Sequence, residues 1–455
     1  MTVLADRLGS VCPDRVIVPR HPAYDSVRLL FNGVHDARPR LICLPRDARE
    51  LAETIRIARS AGIATVIRGG GHNIAGAGSV DDGLVLDLRL LNRVEVDPDR
   101  RVATVAGGAT WCQLDLATSL YGLATTGGTF DTTGVGGLTL GGGIGHLMGR
   151  YGLACDNVLS YRLVTASGDE LSVDARTDPD LDWALRGAGH GLAAVTEFQF
   201  RLHPVPAVYG GFVAYPEPEL AAAVRLFRQV MADAPDELTC TLLLERHGPA
   251  QRPAAVMSVA YCGDDDTYRS GLDKALRGLD VAEWQLCRRT YVSMQSVLGR
   301  LPFGLRHYWR SRWVDGLPDD LVDGLVDGFL AGRWQDPCND TILLEPIHGA
   351  VRRVPGHLAA VPFRGARFNV TAMAIWAHPG DDAEQIAWAR ATGELAEPHN
   401  RWGSGYANYA SDRRPAPRAL EPAAAHRLRE IKRRVDPDSV FGPPVTPSPS
   451  TREAG

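Results

Sequence analysis

The sequence lacks most of the features that would place it outside the ordinary globular class. It has no apolar run approaching the roughly 18 residues of a membrane span, and its start, MTVLADRLGSVCPDR, carries no apolar stretch behind a basic one. A cytoplasmic protein is therefore expected, with no membrane partner. Cysteine is scarce: 8 in 455 residues, with no CxxC and no Cys/His spacing of a zinc site. That excludes a disulfide framework and a metal centre legible in sequence, and leaves reduced, mostly buried thiols. An excess of one charge is also missing, since 49 Lys and Arg against 54 Asp and Glu give a net charge of −5. Such a surface gathers neither nucleic acid nor anionic lipid.

What is present is a chain with 45% hydrophobic residues, long enough for two or three domains at roughly 100–200 residues each. A β-α-β start is predicted from the apolar run Leu41–Leu44, the helical stretch Ala48–Ser60 with Leu51, Ile55 and Ala58 on one face, and the strand Ala64–Arg68. Short strands follow at Leu84–Leu88, Arg93–Val96, Val102–Ala106, on both sides of the turn Ala166–Asp169, and at Val195–Leu202. Pro204 then marks a boundary. Beyond it the pattern changes to helices at Glu219–Ala232, Asp266–Gly278, Asp319–Phe329 and Ala383–Leu395, with strands at Leu238–Glu245, Ala254–Tyr261, Thr341–Pro346 and Arg367–Trp376. Helices segregated from a sheet read as an α+β domain. The run Asp264-Asp265-Asp266 reads as a helix N-terminus, and the Pro/Ser/Thr tail 443–455 as disordered.

Two segments are dense in glycine: Gly69-Gly-Gly-His-Asn-Ile-Ala-Gly-Ala-Gly78 and Gly134-Val-Gly-Gly-Leu-Thr-Leu-Gly-Gly-Gly-Ile-Gly145. Backbone amides cradle a diphosphate only where no Cβ obstructs the approach, so two such segments suggest a long dinucleotide; tight turns between short strands are the alternative. Neither segment has the strand, GxGxxG, helix and distal acid of a nicotinamide-binding fold, which disfavours NAD. His72 lies inside the first segment, where little apolar cover is expected; a loop histidine beside a cofactor is a functional candidate, and a histidine that merely hydrogen-bonds the backbone is the alternative.

Arg68-Gly-Gly-Gly-His72-Asn73, Gly134 to Gly143, Tyr151-Gly-Leu-Ala-Cys-Asp-Asn157, Trp183-Ala-Leu-Arg-Gly187 and Tyr406-Ala-Asn-Tyr409 together resemble the berberine bridge enzyme-like branch of the vanillyl-alcohol oxidase flavoproteins, the PCMH-type FAD-binding family. The match runs in order over about residues 24 to 442. The resemblance implies an α+β protein with a two-part FAD-binding domain, 1–205 and 400–455, around a substrate domain, 206–399, whose antiparallel sheet is backed by helices. It implies FAD carried covalently on His72 through the flavin 8α-methyl. It further implies cofactor contacts from Arg68, Gly69, Gly70, Gly71, Asn73, Gly76, Thr133, Gly134, Gly137, Gly141, Gly142, Asp156, Val195, Tyr406 and Asn408.

The departures from the family pattern are specific. Phe130 occupies the position at which many members attach the flavin a second time through cysteine, so a single histidyl link is expected, and Cys155 is not that ligand. Thr133 stands where, in the family it resembles, a residue near flavin C4a gates oxygen; a small side chain there favours an oxidase over a dehydrogenase. The family's GGGNFGVV reads Gly187-Ala-Gly-His-Gly-Leu-Ala-Ala-Val195 here, with an added His190. The Asn-x-Asn after Phe441 is replaced by Gly442-Pro-Pro-Val, which puts some tail contacts in doubt.

Hydride transfer from an alcohol or amine needs a base for the O–H or N–H proton. Tyr406 is the first candidate from the family motif, although a phenol near pKa 10 would need about 3 units of depression to be half ionised at pH 7. Glu345, on the strand Thr341–Pro346, is the second; a solvent-facing strand carboxylate is its alternative reading. Trp376, Tyr308 and Trp309 read as core or pocket wall. The expected activity is an oxidase passing a hydride from an alcohol, sugar or amine of a secondary metabolite to flavin N5, with O2 reduced to H2O2. Oxidative cyclisation or double-bond formation in antibiotic biosynthesis, and a flavin-containing drug-binding or resistance protein, are the alternatives. The small-molecule substrate and O2 are the partners implied, and oligomeric state is not legible.

Overall fold

A computed structural model of the chain describes residues 2–299, 302–335, 338–403, 405–412 and 420–442; the tail 443–455 lies outside them. The β-α-β start forms, with a change of order. Leu41–Cys43 and Thr65–Arg68 are not neighbours, because the fully buried strand Leu84–Asp87 inserts between them and runs parallel to both. Helix Ala48–Ser60 begins where the Asp47 side chain accepts from the Glu50 amide at 2.8 Å. It buries Leu51, Ile55 and Ala58 against the sheet and stops before Gly62, whose φ of 60° ends helices readily. Leu8 and Cys12 from one chain end and Val440 and Phe441 from the other complete the same core.

A second sheet is antiparallel, in the order Val94–Asp97, Val102–Ala106, Ala194–Arg201, Val158–Val164, Glu170–Val173. Its core of Trp111, Trp183, Phe198 and Phe200 is closed by helix Pro422–Val435 through Leu428, Ile431 and Val435.

The third sheet has eight strands, with Val208–Pro216, Arg252–Tyr261, Leu238–His247, Thr341–Pro346, Phe368–Trp376 and Arg306–Val314 side by side. Helices Leu220–Ala232 and Asp319–Leu330 cover one face, where Phe227 is fully buried; that burial alone is worth about 1.5–3 kcal/mol. Helix Asp266–Leu276 starts at Asp265, whose carboxylate accepts from the Thr267 and Tyr268 amides. The register places Glu345, Asn369 and Trp313 abreast on the opposite face, and Leu243, Leu343, Thr371 and Ser311 abreast in the next row. Among the described residues no helix is long and apolar enough to cross a membrane.

Candidate active site

The two glycine-rich segments lie back to back. A Cβ on Gly70 would sit 2.5 Å from the Gly134 amide nitrogen, and one on Gly134 would sit 2.4 Å from that of Gly70, so neither position tolerates a side chain. Gly141 abuts Asn408 in the same way, at 2.1 Å from its Oδ1. Gly71 and Gly76 have φ of 71° and 70°. A Cβ on Gly137 would meet nothing within 4 Å, so there the backbone borders open space.

His72 is better covered than its sequence context suggests. Its ring stacks on Phe31 with centroids 4.5 Å apart and meets Phe303 edge-on at 5.0 Å; Phe31 in turn stacks on His307 at 4.5 Å. The expectation of little apolar cover is thus corrected, because aromatic residues distant in sequence converge on the loop. Burial brings the His72 pKa down to about 4, opposed by a hydrogen bond with the Thr132 backbone and by the Asp131 charge. The imidazole is therefore neutral at pH 7, and its Nε2 is buried with no hydrogen-bond partner among the described residues.

The remaining expected cofactor residues divide into two groups. The Arg68 stem packs against Gly71 and Gly78 of the first glycine segment, while its guanidinium pairs with Asp87 at 2.6 Å and donates to the Val27 carbonyl at 2.8 Å. The Asp156 carboxylate is held by Arg364 at 2.6 Å and accepts from the Leu153 amide at 2.9 Å. Both side chains brace the framework of the site. Asn73 accepts from the Ala77 amide at 3.1 Å, closing the first glycine loop, and the carbonyl of Val195 abuts Gly107. A Cβ on Gly69 would meet the Gly107 carbonyl at 3.6 Å, and Gly142 adopts a φ of 113° beside Tyr406. His190 reaches the Gly137 carbonyl at 2.7 Å, so the added histidine contacts the second segment from outside. Phe130 and Thr133 share a turn, with the Thr133 amide donating to the Phe130 carbonyl at 3.1 Å.

Tyr406 and Glu345 come together. The Tyr406 hydroxyl accepts from the Gly143 amide and from Asn408 Nδ2, each at 2.8 Å, and Asn408 also donates to the Leu138 carbonyl at 3.1 Å. Burial pushes the Tyr406 phenol well above its ordinary value, the reverse of what a phenolate base needs. Glu345 is 1% exposed, which overturns the solvent-facing alternative. Its carboxylate accepts from Asn369 Nδ2 at 2.9 Å and from the Tyr409 hydroxyl at 3.0 Å. Desolvation raises its pKa to about 7 against those two hydrogen bonds. The chain continues through Asn369 Oδ1, which accepts from Ser311 Oγ at 2.6 Å, and Ser311 Oγ accepts from the Tyr406 amide at 3.1 Å. Trp309 packs in a buried cluster with Phe31, Ile74, Leu243, Leu343 and Met373 beside Tyr409, whereas Tyr308 and Trp376 belong to a core with Ala389.

The FAD binding domain family matches residues 39–174. The (R)-6-hydroxynicotine oxidase of Paenarthrobacter nicotinovorans is 31% identical over 304 residues, 65% of this chain and 66% of that protein. An FAD-linked oxidoreductase of Dictyostelium discoideum is 30% identical over 280 residues, 61% and 60% of the two chains. The aligned part thus spans less than two thirds of each of these relatives. The solved 6-hydroxy-D-nicotine oxidase of Arthrobacter nicotinovorans superposes with a TM-score of 0.85 at 27% identity, over 97% of this chain and 99% of that one. Residues 39–174 thus carry an FAD binding domain, and the proteins this chain is similar to are FAD-linked oxidoreductases and oxidases. A variant berberine bridge enzyme, a reticuline dehydrogenase, shares the fold at a TM-score of 0.86 and 22% identity, over 98% and 99% of the chains.

The FAD binding domain match supports FAD as the cofactor, and two features of the site fit that group. The backbone at Gly137 borders open space, and the neutral His72 imidazole has its Nε2 buried without a partner among the described residues. Sequence reasoning missed Asn369, Ser311, Phe31, Phe303 and His307. Only Tyr409 had a signal, as the last residue of the Tyr406-Ala-Asn-Tyr409 motif; Asn369 was reachable only through strand register.

Proposed function

We propose that the protein is an FAD-dependent oxidase acting on an alcohol or amine group of a small secondary metabolite, with FAD linked through His72 alone and Glu345 as the catalytic base. Bound FAD would supply the hydride acceptor, at its N5, and the route for the electrons to O2, with H2O2 as product. The observation that carries the reading is Glu345: a carboxyl on the face of the sheet toward Tyr406, fully buried, with a pKa of about 7. A base poised near the working pH takes the substrate's O–H or N–H proton most effectively. Asn369 and Tyr409 hold its oxygens in fixed directions, and Tyr406 serves as a neutral hydrogen-bond partner to the Gly143 amide. Residues 1–205 and 400–455 supply the FAD site and 206–399 the substrate side.

The neutral His72 supports a covalent link, since only an unprotonated imidazole nitrogen has the lone pair to bond the flavin. Phe130 offers no sulfur for a second bond. Oxidative cyclisation or double-bond formation would use the same base and hydride acceptor. A drug-binding role without turnover would need no base, so the placement of Glu345 favours an enzyme.

The test is anaerobic reduction of the purified flavoprotein by a panel of alcohols, sugars and amines, followed by air. Bleaching of the flavin band with recovery in air and H2O2 supports the oxidase. A spectrum that only shifts, with no bleaching by any compound, would reject it. Acid precipitation tests the link separately, because colour must stay with the precipitate.

A further inference from the structure

Helix Tyr291–Met294 leaves the eight-stranded sheet and packs against helix Trp111–Ser119. Gln295, directly after it, is 2% exposed. Its Nε2 donates to Asp115 Oδ2 at 3.0 Å and to the Gly128 carbonyl at 2.9 Å. Both partners are acceptors, so the NH2 end of the amide must face them, and one nitrogen serves two residues far away in sequence. Asp115 is 2% exposed, and the group hydrogen-bonded to it is an uncharged amide. Asp115 thus serves Gln295 as a buried acceptor fixed on helix Trp111–Ser119.

Gly128 begins the stretch that reaches His72. Thr132 hydrogen-bonds the His72 ring through its backbone. The far end of the stretch is pinned to helix Trp111–Ser119, with the Trp111 amide donating to the Thr133 carbonyl at 3.0 Å and the Cys112 amide to the Asp131 carbonyl at 2.8 Å. Asp115 stands on that same helix. Gln295 therefore ties the near end of the stretch to the helix that already holds its far end. We infer that Gln295, oriented by Asp115, is a positioning residue that fixes residues 128–133 and thereby sets the His72 imidazole for its bond to the flavin. The inference rests on the reading of His72 as the point of attachment.

Two readouts test it on the full-length flavoprotein: amide hydrogen exchange over residues 128–133, and the fraction of flavin that stays with the protein after acid precipitation. In Gln295→Leu the exchange is expected to quicken about tenfold, the equivalent of one lost buried hydrogen bond, and the retained flavin to fall by about half or more. Asp115→Asn keeps an acceptor for Gln295 and should preserve both values. Met294→Leu, a packing change in the same helix, should do so as well. Exchange in Gln295→Leu indistinguishable from wild type would overturn the tie, and faster exchange with undiminished retention would overturn its role at His72. A wild-type protein that releases its flavin in acid would instead sink the histidyl link, and exchange would then decide the tie alone.

Discussion

Glu345 faces Asn369 across two neighbouring antiparallel strands, and the Asn369 amide donates to its carboxylate at 2.9 Å. The second group on that carboxylate is the Tyr409 phenol, so among the described residues a fully buried acid is held by an amide and a hydroxyl and by no cation. Two neutral hydrogen bonds do not offset complete desolvation, and the acid titrates at about 7. The same feature that raises its pKa keeps the charged form reactive, because no positive neighbour among the described residues stabilises the carboxylate.

Glu345→Gln should therefore leave flavin binding intact and lower turnover by about 10²–10⁴-fold, the usual worth of a positioned general base. The wild-type rate should fall as the pH drops below about 7, since the protonated carboxyl cannot accept the substrate's proton. Steady-state rates across pH check both points. A Glu345→Gln enzyme with near wild-type turnover would remove Glu345 from the chemistry.

The same shift acts on stability. Folding raises this carboxyl from 4.5 to about 7. Between those values the folded protein keeps a proton that the unfolded chain has released, so the group's contribution to stability declines as pH rises through that window. Glu345→Gln lacks this titration. Its unfolding free energy should exceed that of wild type at pH 8 by up to about 3 kcal/mol more than it does near pH 4. Denaturant unfolding at the two pH values measures the difference; equal effects at both would contradict the raised pKa.

The fold was legible wherever one local pattern dominated. Helix Ala48–Ser60 has a capping Asp47, a regular apolar face and a closing glycine, and it formed over the expected residues. Strand Arg306–Val314 did not announce itself, because both of its faces are used. Arg306, Arg310 and Arg312 pair with Asp382 and Glu394 on one side, while His307, Trp309, Ser311 and Trp313 line the other. Thr341–Pro346 is buried at every position, so its sequence could not say which way Glu345 points. The stack of His72, Phe31 and His307 joins residues from separate segments and has no signature in any one of them. The choice between Tyr406 and Glu345 as base depended on burial and neighbours, which a motif does not carry.

Tyr406→Phe separates those two roles. Removing the hydroxyl strips a partner from the buried Gly143 amide and from Asn408, each loss worth about 1–3 kcal/mol. Turnover should drop modestly, on the order of tenfold, with the pH dependence near 7 retained because Glu345 still titrates. Loss of that pH dependence in Tyr406→Phe, together with its survival in Glu345→Gln, would reverse the assignment.

Gly70→Ala tests whether the two glycine segments work as one surface. The added methyl would lie 2.5 Å from the Gly134 nitrogen and 2.8 Å from its Cα, and both neighbours are backbone. A flexible side chain could swing aside, but here one whole segment must move. Overpacking of this kind costs about 1–3 kcal/mol or more, and the displacement falls between His72 and the second glycine segment. The variant should fold with a lowered thermal midpoint and be isolated with less flavin per chain. Gly137→Ala, whose methyl meets nothing within 4 Å in the protein itself, should keep the thermal midpoint. Measuring midpoint and the ratio of flavin to protein absorbance for both variants separates steric contact within the chain from contact with the cofactor. Loss of flavin in Gly137→Ala at an unchanged midpoint would mark the open space there as part of the FAD cradle.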